Sequence, residues 1–149
     1  MKNKCNLLVL IIISALSCLS ACKKSGSEDN GSFTWNYKGV DYTAKYTLAR
    51  SVEDLGPNII GGLGNAASTP GSGPSFKIEP FAVGLYAVGP GENPVSFTDT
   101  AGNNLPAVGL LTITSTANKK LSGTFILEIG VTGDQHTLTG VIKNIPIAP

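Results

Sequence analysis

Two groups of residues in this chain have side chains with chemistry to offer. The first is a thiol. Cys22 ends an apolar run and directly follows Leu19, Ser20 and Ala21. Small side chains let a peptidase approach the backbone before the cysteine, and its sulfur is a nucleophile that can take an acyl chain. The second group is aromatic. Phe33, Trp35, Tyr37, Tyr42 and Tyr46 fall within 14 residues, half of the ten aromatics in the chain. Turned outward, such flat faces stack on sugar rings; turned inward, they are core. Trp35, Tyr37 and Tyr42 are the candidate ligand contacts. Their alternation with polar residues favours an inward face.

Other chemistries find less to work with. His136 is the single histidine, which excludes a multi-histidine metal site. Asp134 lies two residues before it, but no Gly-x-Ser-x-Gly elbow supplies a nucleophile. A solvated strand-end histidine is expected. The carboxylates Asp41, Glu53, Asp54, Glu79, Glu92, Asp99, Glu128 and Asp134 are scattered, with no spacing that pairs two across a cleft. The segments 98–104 and 133–135 hold too few oxygen ligands for a calcium loop. "GGLG" at 61–64 lacks the lysine of a phosphate loop. No catalytic residue, metal ligand or cofactor is therefore expected.

The first 21 residues explain the cysteine. Lys2 and Lys4 give a basic start, Leu7 to Ala21 is a 15-residue run that is mostly apolar, and small residues close it. That is the layout of a secretory signal peptide. The run is shorter than the ~20 residues a membrane-spanning helix needs. Leu19-Ser20-Ala21-Cys22 resembles a bacterial lipobox. The resemblance implies cleavage before Cys22, acylation of its sulfur and acylation of the new amino group. One acyl chain binds a membrane marginally, whereas two or more anchor it stably. Cys5 and Cys18 would leave with the leader, so the mature domain has no disulfide. Lys23 after the cysteine, by resemblance to Gram-negative sorting rules, favours the outer membrane. Glu28-Asp29 leave the periplasmic and cell-surface faces both open.

Residues 22–32 carry almost no apolar side chain and are expected to form a flexible tether. Residues 33–149 make one domain. Once residues 1–21 are removed, acids and bases nearly balance, and the only adjacent lysines are Lys23-Lys24 and Lys119-Lys120. No basic stripe suits nucleic acid.

These residues must be positioned by strands. No sustained 3.6-residue period appears after residue 33, and short alternating runs are separated by turn residues. With Lys38-Gly39 as a two-residue turn, Tyr37 faces Val40, Trp35 faces Tyr42, and Phe33 faces Ala44. Asn36–Asp41 and Thr34–Thr43 fall on the other side. A second hairpin, around residues 116–120, sets Leu111 opposite Phe125 and Ile113 opposite Gly123. A third strand continues that face with Leu138, Gly140 and Ile142, and Pro146 and Pro149 stop it. Phe81 to Val88 is apolar on both faces and predicts a central strand or one under a loop. Residues 61–75 predict a long mobile loop. The sum is an all-β fold, an antiparallel sandwich or partly open barrel of about eight to ten short strands.

The segments "FTWNYKGVDYTA", "PFAVGLYAV", "LLTITSTANKKLSGTFILEI" and "HTLTGVIKNIPI" resemble a group of small Bacteroidetes lipoproteins. That resemblance implies an all-β domain behind a lipobox and assigns no catalytic residues. The expectation is a lipid-anchored outer-membrane binding or structural module. It would be tied to the membrane by its anchor, with a glycan or a cell-envelope protein as possible ligand. The alternatives are a carboxylate-dependent hydrolase and a lipocalin-like carrier of an apolar molecule.

Overall fold

The first hairpin forms as its alternation dictates. In the computed structural model, which describes residues 31–50, 58–65, 71–91 and 93–149, β1 (Ser32–Tyr37) and β2 (Val40–Thr43) pair in the expected register. Lys38 and Gly39 have φ of 53° and 77°. Both are left-handed, as a two-residue turn matched to strand twist requires. Ala44 N–H donates to the Phe33 carbonyl at 2.8 Å and closes the hairpin.

The C-terminal meander is equally regular. β8 (Asn104–Ser115) and β9 (Lys120–Val131) are joined by a 3-10 turn at Ala117–Lys119. Leu111 faces Phe125 and Ile113 faces Gly123. β10 (Asp134–Ala148) returns along β9, with Leu138 opposite Leu127 and Gly140 opposite Phe125. Gly140 is needed there, because a Cβ at this position would overlap the Phe125 ring. Along β9, Leu121, Phe125, Leu127 and Ile129 are buried while Thr124, Ile126 and Glu128 are exposed. This is the two-residue period of a sheet covered on one face.

Partners distant in sequence complete the fold. β1 pairs antiparallel with β10, from Ser32–Lys143 to Tyr37–Leu138. One six-stranded sheet then runs β2-β1-β10-β9-β8-β6, where β6 is Gly84–Val88. A second contains β3 (Tyr46–Arg50), β4 (Ile59–Gly62), β5 (Gly73–Phe76) and β7 (Val95–Thr98). Its sides are supplied by the first sheet. Asn104–Pro106 of β8 pair with β7, and Ile147–Ala148 of β10 pair in parallel with Ala49–Arg50 of β3. β10 makes that corner through a bulge at Lys143–Asn144, where the Asn144 N–H donates to Ser122 Oγ at 3.0 Å. The protein is thus all-β, a sandwich or partly open barrel of ten strands short of a clean barrel. Its interior is filled by Phe33, Phe76, Phe125, Leu111, Leu127 and Leu138, together with aliphatic neighbours.

Three expectations are corrected. Phe81–Val88 does not hold a central strand: β6 is an edge, and Leu85 is 66% exposed. Its apolar outer side is simply uncovered. Residues 61–75 are not one loop, because Gly61–Gly62 belong to β4 and Gly73–Ser75 to β5. Glycine serves packing there, since a Cβ on Gly61 would meet the Phe33 ring. Pro146 does not stop β10. It pairs with Lys120 of β9, and the strand runs on through Ile147–Ala148 beside β3. The leader and most of the tether lie outside the described residues, and among the described residues no helix is long and apolar enough to cross a membrane.

Candidate functional site

The β1–β2 hairpin leans over the end of the second sheet and leaves a pocket of about 220 Å³. Strand alternation puts Trp35, Tyr37, Val40 and Tyr42 on the hairpin's inward side, and all four line it. Phe97 enters from β7 and Leu63 from the end of β4. Trp35 is 3% exposed and forms the floor, as the core reading requires. Its ring stacks on Tyr42 at 5.5 Å between centroids and 14° between planes. Tyr37 packs on Phe97 at 4.8 Å. The three aromatics singled out from sequence therefore meet in one place. Such ring pairs contribute about 0.5–1.5 kcal/mol each beyond their burial, so the walls are held rather than loose.

Polar groups form the rim. Lys38 Nζ sits 5.4 Å from the centre of the Tyr37 ring. His136 meets that ring edge-on at 6.1 Å and is itself held by Asp134 Oδ1, 3.0 Å from Nε2. The Asp–His pair seen in the sequence thus exists, and its place is behind a wall of the pocket. Asp99 lines the rim from the β7–β8 loop. Its carboxylate accepts from Asn103 Nδ2 at 3.0 Å and from the backbone N–H of Asn103 at 2.8 Å and Ala101 at 2.9 Å. The Asn103 side chain first, then these N–H groups, hold its pKa below the usual carboxylate value. Ser72 Oγ donates to the Asp99 carbonyl at 2.6 Å and ties the loop to the start of β5.

The remaining carboxylates among the described residues are each engaged elsewhere. Asp41 accepts from Asn36, Glu79 pairs with Lys77 at 3.3 Å, and Glu128 accepts from Thr137. Glu53, Asp54 and Glu92 lie outside the described residues, as does Cys22. Among the described residues no group of three or more His, Cys, Asp or Glu side chains could hold a metal. What the pocket offers is aromatic faces and aliphatic walls with Lys38, Ser72, Asp99 and Thr100 at its edge.

Sequence reasoning missed Phe97, Leu63 and Asp99. Phe97 was legible as the inward residue of a short strand, but nothing local tells which hairpin it will meet. Comparison with protein-family models, with curated proteins and with solved structures finds no match to this chain.

Proposed function

We propose that the protein is a lipid-anchored binding module of the outer membrane, held by acylated Cys22, and that the pocket under the first hairpin takes a small ring-bearing ligand such as one sugar unit of a glycan. The carrying observation is that Trp35, Tyr37 and Tyr42 line a single pocket with Phe97. A sugar's C–H face stacks on Tyr42 while Lys38 at the rim donates to a hydroxyl. The carboxylate-hydrolase alternative would need two facing acids, and the described carboxylates each bond to a different partner. A carrier would need an interior cavity, and the interior holds packed side chains.

Trp35, the lone tryptophan, makes the test direct. Its emission is followed while monosaccharides and envelope glycans are added. A saturable change is expected for at least one sugar. Tyr42→Ala should weaken binding about tenfold, the cost of one stacking face. A titration that leaves Trp35 emission flat across the panel overturns the sugar reading.

A further inference from the structure

The outer face of the six-stranded sheet is uneven in both polarity and charge. Leu110 and Ile126 face each other across β8 and β9, and both are exposed. Val141 on β10 is exposed opposite Thr124. At the end of this face where the β8–β9 turn lies stand Lys119, Lys120 and Lys143. Lys120 is opposite Pro146 and Lys143 opposite Ser32. None of the three has a carboxylate partner among the described residues. At the other end, by the β1–β2 and β9–β10 turns, are Asp41, Glu128 and Asp134 against Lys38. Among the described residues, positive charge at one end thus gives way to negative at the other, along the strands.

The chain enters the fold at the basic end, since Ser32 pairs with Lys143. Cys22 stands nine residues before Gly31, and nine residues span at most about 30 Å. An acyl group on Cys22 therefore keeps the lysine end within one protein diameter of the bilayer. Electrostatics then chooses which part touches. Next to an anionic surface each lysine favours contact by about fivefold, and the field fades within a Debye length. Three lysines at the near end are drawn in, and the acids at the far end are kept out.

We propose that the basic end of this sheet face rests on the phosphate headgroups of an anionic bilayer. Val141, two residues from Lys143 on the same side of β10, follows the lysines into the interface, and the aromatic pocket at the opposite end points to solvent. This rests on the acyl anchor of the preceding section and adds an orientation to it.

The test uses the full acylated protein on vesicles of phosphatidylcholine alone and of phosphatidylcholine with phosphatidylglycerol. Amines are acetylated with an N-hydroxysuccinimide ester, and each lysine is read by peptide mass spectrometry. Labelling of Lys119, Lys120 and Lys143 should fall about fivefold or more on the anionic vesicles and recover in molar salt, with Lys38 unchanged. In the variant Lys120→Glu/Lys143→Glu, Lys119 should lose its protection while Trp35 emission reports an intact fold. Equal labelling on both vesicles, or protection of Lys119 that survives in the double variant, overturns the proposal. So does protection already present without vesicles, which would indicate a second copy of the chain instead. The Cys22 peptide in the same digest separates the two claims. An acylated peptide with unprotected lysines overturns the orientation alone, and an unmodified thiol overturns the anchor and the orientation together.

Discussion

Asn58 is the buried polar residue on which most depends. Its Nδ2 donates to the Ile78 carbonyl at 2.8 Å and its Oδ1 accepts from the Ile78 N–H at 3.0 Å. Its own N–H and carbonyl are bonded to Phe76 and Arg50. The side-chain amide thus serves two backbone groups that no strand reaches. Asn58→Ala strands both and should cost about 2–3 kcal/mol in denaturant unfolding. A cost near zero would mean water replaces the amide. Asp99 makes a different prediction, set by pH. Its folded pKa is depressed, first by Asn103, so the stabilisation is present above the ordinary carboxylate pKa and is lost as pH falls through the folded value. The stability gap between wild type and Asp99→Ala should therefore be constant near neutrality and close below about pH 4. A gap that persists in acid would assign the effect to packing.

Among the elements, the hairpins carry their own instructions. Lys38-Gly39 between alternating runs specifies β1–β2 because a two-residue turn and a buried face each allow only one register. The same holds for β8 and β9, whose inward series Leu111, Ile113 and Phe125 would turn to solvent with a one-residue slip. Other elements escaped sequence reasoning because their signals are not local. β3 is five residues long and gains its place from contacts with β10 and β4. β6 has the composition of a central strand but lies at an edge, since nothing in its own residues says whether a neighbour arrives. Gly61 and Gly73 look like loop residues in sequence and are, like Gly140 on its expected strand, strand positions where another group comes close. The aromatic half of the site was visible for the same reason as the first hairpin; Phe97 and Leu63 were not, because they belong to the facing sheet. Gly140→Ala tests this directly. The added methyl should destabilise by about 1–3 kcal/mol through collision with the Phe125 ring, and Phe125→Leu in the same chain should return part of it. Strict additivity of the two changes would contradict the contact.

At the scale of the whole molecule, the ten strands have a direction. One end carries the entry of the chain at Ser32 and three lysines with no carboxylate partner among the described residues; the other carries the hairpin, the aromatic pocket and Asp41, Glu128 and Asp134. The filled interior leaves the pocket at the hairpin end as the place where binding is proposed. The proposed function gives Cys22 the task of holding a folded β domain at a bilayer. Intact mass spectrometry of the N-terminal peptide from native membranes tests it most directly. The account predicts a chain that begins at Cys22 with a diacylglyceryl thioether on its sulfur. A chain that keeps residues 1–21, or begins elsewhere, or carries a free thiol at Cys22, would contradict it.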